Sequence, residues 1–137
     1  NKIIMKNLNK IFIPVFYMAN LVLIIFYLFP GSIFGCFFYD DCLIQPKITS
    51  NIIITSNFFI SSNHLYAFIL LSVLGFFAYR NTKKIKFLII YLFSLSIILE
   101  LLHIIIPTRA FEWEDLIGNI LGVILIIIAY KIKDKYV

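Results

Sequence analysis

Four apolar stretches, residues 11–29, 58–79, 87–106 and 116–130, restrict what this chain can fold into. A helix that crosses a bilayer needs about 20 mostly apolar residues, because no water is available to its backbone and every N–H and C=O must be satisfied internally. The first and third stretches meet that length outright. The second does so when "NFFISSNHLYAFILLSVLGFFAY" is read as one helix with a polar patch near its start, and the fourth when "EWEDLIGN" supplies its first turn. Hydrophobic residues make up 62% of the 137 and charged ones 14%, a balance outside that of soluble domains. The fifteen Phe and eight Tyr suit lipid contact and headgroup belts. The expected fold is all-α: a polytopic transmembrane helical bundle of four spans, forming one transmembrane domain over residues 1–137.

The net charge of +5 matters less than its placement. Lys2, Lys6 and Lys10 precede the first span, Arg80, Lys83, Lys84 and Lys86 separate the second from the third, and Lys131, Lys133 and Lys135 follow the fourth. Ten of the twelve Lys and Arg thus share one side, leaving Lys47 and Arg109 on the other. The positive-inside rule makes that side, with both termini, cytoplasmic. These cations orient the chain and meet anionic lipid heads, so membrane lipids are expected partners and nucleic acid is not. The first span reads as a retained anchor, since its apolar run exceeds a signal core and "FPGSIFG" is a poor cleavage site. The expected location is a bacterial inner membrane, crossed several times. Residues 30–57 form an outer loop whose apolar parts should lie on the bilayer surface or re-enter it.

Cys36 and Cys42 both fall in that loop. In an oxidising compartment they can close a small disulfide loop, although spacing alone does not establish the Cα distance that a bridge requires. The other reading is a nucleophilic thiol served by His103 and Arg109. It requires the base within hydrogen-bond reach of the sulfur, which nothing in the spacing implies.

The polar residues concentrate in "ELLHIIIPTRAFEWEDLIGN", residues 100–119. Glu100 lies about 10 Å below Pro107 along a helix, a depth at which a lone carboxylate is expensive and should face the bundle, be protonated or find a partner. His103 follows three residues later on the same face. Pro107 ends the span, Arg109 sits in the turn, and Asp115, Asn119 and Gly122 line one face of the returning helix. Helices joined by so short a turn pack side by side, so Glu100 and His103 can face Asp115 and Asn119, with Arg109 above them and His64 reaching the same level from the second span. Trp113 is a headgroup anchor and its acidic neighbours are solvated.

Three readings of this cluster compete. It can be a fastening, in which Arg109 neutralises Glu100 and Asp115, Asn119 bonds across helices and Gly122 lets them approach. It can bind an anionic headgroup and move a proton, the equipment for chemistry on lipid-linked substrates. Or Glu100, His103, His64 and Asp115 can ligate a metal. The helical precedent for that needs a second E-x-x-H motif, which is missing, as is H-E-x-x-H, so neither a metal nor another cofactor is expected.

The run Glu100, Pro107, Arg109, Asp115, Asn119, Gly122, with the form E-x8-R-x5-D-x3-N-x2-G, resembles the signature of VanZ-like membrane proteins, and "HLYAFILLSVLG" from His64 resembles that family's histidine-led second helix. The resemblance covers roughly residues 60–130. The family's Asp-Lys pair before the histidine is replaced by "ISSN", and His103 stands where Gln is common. The resemblance implies a small cell-envelope protein of four or five helices with an outer polar site; the family's namesake is associated with teicoplanin resistance, without an established reaction. Two functions follow as expectations. One is contact with lipid-linked or glycan substrates through Glu100, Arg109, Asp115 and Asn119, assisted by His64 and His103. The other is a non-enzymatic accessory subunit of a larger membrane complex.

Overall fold

A computed structural model describes residues 2–46, 52–55, 58–80 and 82–136, with side-chain surroundings for residues 9–46, 52, 59–80 and 82–132. The chain runs α1 (Lys2–Leu28), α2 (Ile33–Tyr39), β1 (Ile52–Thr55), β2 (Phe58–Ile60), α3 (Ser62–Tyr79), α4 (Ile85–Leu102) and α5 (Trp113–Tyr136). Four of the helices are long and apolar enough to cross a membrane, within Asn9–Leu28, Ser62–Tyr79, Ile85–Leu102 and Trp113–Ile132. The all-α bundle of four spans is therefore what this sequence forms. Lys47, expected on the loop side, lies outside the described residues.

The helix limits depart from the sequence expectation for local reasons. Helix α1 begins well before residue 11 and carries Pro14 in its interior, which costs one backbone bond and is tolerated in membrane helices. The second span starts at Ser62 and not at residue 58, because Phe58–Ile60 pairs antiparallel with Ile52–Thr55 (Ile52 with Ile60, Ile53 with Phe59). The third stops at Leu102; Ile106 precedes Pro107, a position disfavoured for α geometry, and the N–H groups of His103, Ile104 and Ile105 bond three residues back, to Glu100, Leu101 and Leu102. The fourth starts at Trp113, so Glu114 and Asp115 occupy its first turn, where carboxylates complement the helix dipole.

Helix α3 is central. It packs most extensively on α5 and then on α1, and it has the largest buried share of the four spans, 44%. Phe68, Leu71, Leu92, Leu99 and Val123 fill the core. Because lipid is as apolar as leucine, the helices are held by dispersion contacts and polar links and not by removal from water. Outward-facing Leu21, Leu70, Phe87, Ile98 and Leu125 stay exposed, as lipid contact requires.

Helix α2 is capped at its start by Ser32, whose Oγ accepts from Gly35 N at 3.0 Å, and at its end by Asp40 in the left-handed conformation (φ 52). Gly31 turns the chain into it at φ 104, a conformation open to glycine. Cys36 and Cys42 are disulfide-bonded, and Ser32 N donates to Cys42 O at 2.7 Å across the same loop. Phe37, Phe38 and Leu43 are strongly exposed, an apolar surface suited to the bilayer interface. Replacing Cys36 with Ser is expected to destabilise this loop by about 2 kcal/mol, from the closure entropy of so short a ring. Hydrogen exchange should rise at residues 31–44 and stay unchanged in α3 and α5; unchanged loop exchange would refute the role given to the bridge.

Candidate functional site

The four spans bring their polar residues together at the end of the bundle opposite the termini. Helix α1 contributes Tyr27 in its last turn, α3 contributes His64 in its first, α4 contributes Ser96, Glu100 and the adjoining His103, and α5 contributes Asp115 and Asn119. Glu100, His103 and Asn119 are almost completely buried.

Tyr27 sits at the centre. Its hydroxyl donates to Asn119 Oδ1 at 2.6 Å and lies 3.0 Å from His64 Nδ1. Its ring stacks on His103, with centroids 5.7 Å apart, and meets His64 at an angle, 5.0 Å apart. Its carbonyl lies in the last turn of α1, where carbonyls have no partner within the helix, and it accepts from His103 Nε2 at 3.1 Å. Asn119 Nδ2 completes the link to α4 by donating to Ser96 O at 3.4 Å. Sequence reasoning missed Tyr27. A tyrosine near the end of a span reads as a headgroup-belt residue, and only its depth, matching His64 and His103, distinguishes it.

These acceptors fix where the protons are. Tyr27 has one hydroxyl proton, committed to Asn119, so its oxygen accepts from His64 Nδ1–H, and the lone pair of His64 Nε2 then faces Asp115 Oδ2 at 3.1 Å. His103 spends its Nε2–H on the Tyr27 carbonyl, so its Nδ1 faces Glu100 Oε1 at 3.3 Å. Each imidazole thus turns a basic nitrogen towards a carboxylate, a geometry stable only with a proton or another cation between them. Glu100 Oε1 also accepts from Glu112 N at 3.1 Å, tying the end of α4 to the start of α5. Glu100 Oε2 accepts no hydrogen bond.

Arg109 forms no close ion pair with Glu100 or Asp115. The ion pairs of Glu100 and Asp115 among the described residues are with His64 and His103, while the guanidinium donates to Phe29 O and Phe26 O at 3.4 and 3.3 Å. It caps carbonyls at the end of α1 and one residue beyond it, a favourable place for a cation. Partial burial lowers its affinity for a proton, and Asp115 and Glu100 raise it again; an arginine stays charged regardless.

Two cavities adjoin the cluster. One of about 300 Å³ lies between α1, α2 and α3, with Phe26, Phe34, Tyr66 and Leu70 as apolar wall and His64, His103 and Arg109 at its polar end. The other, about 340 Å³, is lined by Gln45, His103, Thr108, Arg109, Glu112 and Asp115. Gln45, His103 and Arg109 belong to both.

Glu112, on the rim, has its carboxyl pushed above the usual range by partial burial and then by Asp115, Glu114 and Glu100. An acid whose folded pKa is raised costs nothing below its unfolded value and costs most above its folded one. Glu112→Gln should therefore stabilise the protein above about pH 5, by no more than about 0.5 kcal/mol after solvent screening, and leave it unchanged at pH 4. Thermal melts at both pH values in detergent check this; a loss of stability at neutral pH would refute it.

Residues 12–134 match the VanZ/LLP1 family. No curated protein and no solved structure matches the chain significantly.

Proposed function

The chain belongs to the VanZ/LLP1 family over nearly its whole length and is a multi-pass membrane protein; from these premises we propose that it binds lipids or lipid-linked glycans with an anionic headgroup, at the outer leaflet of a bacterial inner membrane. The orientation follows from the cations, with Arg80, Lys83, Lys84, Lys86 and Lys131 at the end away from the cluster and the positive-inside rule holding that end in the cytoplasm.

The observation that carries the reading is the meeting of the two cavities at Arg109. An amphiphile needs an apolar slot for its chain and a polar chamber for its head, with a cation between them, and this pair of cavities supplies each. Arg109 holds a phosphate or carboxylate by charge-assisted hydrogen bonds. His103 lines both cavities and Asp115 the polar one, so an imidazole and a carboxylate stand beside Arg109, able to exchange a proton with the headgroup. A site meant only as a fastening has no use for an unsatisfied buried carboxylate oxygen, and Glu100 Oε2 is one.

Extraction in mild detergent followed by mass spectrometry tests the reading. A defined phosphate- or carboxylate-bearing lipid should accompany the chain, and Arg109→Ala should reduce it at least tenfold, while Arg109→Lys, which keeps a cation near the carbonyls of α1, retains most of it. Stoichiometric protein partners without such a lipid would instead make this an accessory subunit. In cells carrying a deletion, Arg109→Ala and Asp115→Ala should fail to restore the envelope phenotype at normal protein levels.

A further inference from the structure

We propose that His64, Asp115 and Glu100 form a binding site for a divalent transition-metal cation such as zinc. The inference does not rest on the headgroup reading, since it concerns the helix-buried cluster itself. One ligand atom from each residue lies within 4.8 Å of the others, and the three come from α3, α5 and α4.

Three observations point to a cation. First, Glu100 is fully buried and its Oε2 accepts no hydrogen bond; His64 Nδ1 lies 3.9 Å from that oxygen. A carboxylate oxygen left unsatisfied at membrane depth is costly; His103 and Glu112 N engage the other oxygen, Oε1, and no Lys or Arg among the described residues pairs with Glu100 or with Asp115. Second, Tyr27 and Asn119 receive His64 Nδ1–H, at 3.0 and 3.2 Å, which presents the Nε2 lone pair towards Asp115 Oδ2. Metal-bound histidines are held in this way, the distal N–H fixing tautomer and ring plane. Third, three protein ligands with one position left over is the pattern of an open zinc site, and Asp115 lines the polar cavity where water or an anion would complete the shell.

The spacing also says what binding must change. Ligands of a tetrahedral zinc ion lie about 3.3 Å apart, from metal–ligand lengths of about 2.0 Å. His64 and Asp115 already match at 3.1 Å, whereas the 4.8 Å limit on the set means that Glu100 Oε2 moves inward by up to about 1.5 Å when the metal enters.

The full chain, purified in detergent and stripped with a chelator, is titrated with Co2+, read by its visible absorption, and then with Zn2+ in competition. One equivalent should bind, with Glu100→Gln and Asp115→Asn each weakening it at least tenfold and Glu114→Gln leaving it unchanged. Should the variants not fold, X-ray absorption on the zinc-loaded wild type decides, with one imidazole and otherwise oxygen ligands expected. No saturable uptake by monodisperse wild type, undiminished uptake by the two variants, or a shell containing sulfur would overturn the proposal.

Discussion

Gly122→Leu should prevent the bundle from assembling, leaving the extracted protein aggregated or lacking a cooperative melt. A Cβ placed on Gly122 would lie 2.8 Å from Leu65 O, 2.9 Å from Phe68 Cβ and 3.0 Å from Ile69 N. Two of these atoms belong to the backbone of α3, so no rotamer change relieves them and the helices must separate. One turn earlier Gly118 has the same relation to α3, its added Cβ falling 2.9 Å from Ser61 O. This small-xxx-small stripe sets the approach of α5 to α3, the most extensive helix contact in the fold. Overpacking usually costs about 1–3 kcal/mol; Gly122→Ala should fall in that range and leucine should exceed it. The same separation would pull His64 from Asp115 and Asn119. A Gly122→Leu protein with wild-type melting temperature and elution would show that α3 and α5 do not pack this way.

His103→Ala should destabilise the protein by about 3–5 kcal/mol, the loss expected when a buried carboxylate is left without its partner. The ring holds Glu100 Oε1, donates to the Tyr27 carbonyl and stacks on the Tyr27 ring. Glu100→Gln should cost about 1 kcal/mol or less, because an amide oxygen still accepts from Glu112 N. In the double variant the losses should fall short of additive by about 1–3 kcal/mol, since with Gln in place no carboxylate is stranded. Thermal or denaturant unfolding of the four proteins in one detergent measures that coupling. Additivity within about 0.5 kcal/mol would mean that His103 acts through packing alone. Tyr27→Phe provides a milder comparison, expected at about 1–3 kcal/mol because it leaves His64 Nδ1 and Asn119 Oδ1 without their shared hydroxyl.

What could be read in the sequence was whatever depends on local period and length. Spans follow from apolar runs because lipid leaves a backbone no choice but the helix. The juxtaposition of Glu100 and His103 with Asp115 and Asn119 followed from the helical repeat and a short turn, so contact between α4 and α5 was nearly forced. The family likeness rested on the same linear run, and the match extends over residues 12–134. Short-range competition blurred the ends: residues 58–60 are apolar enough for a span yet pair as a strand with 52–55, because a local partner was at hand.

Only the tertiary structure decided who partners whom. Tyr27 reaches Asn119 across 92 positions, and no periodicity connects them. Arg109, expected above the acids from its place in the turn, lines a cavity with Asp115, but its hydrogen bonds go to the carbonyls of Phe26 and Phe29 at and just beyond the end of α1. The acids turn to the histidines instead, leaving one carboxylate oxygen of Glu100 with no hydrogen bond in the buried interior. Chain-local rules place a residue at a depth and on a face; the direction of its hydrogen bonds depends on donors and acceptors delivered by the other three helices.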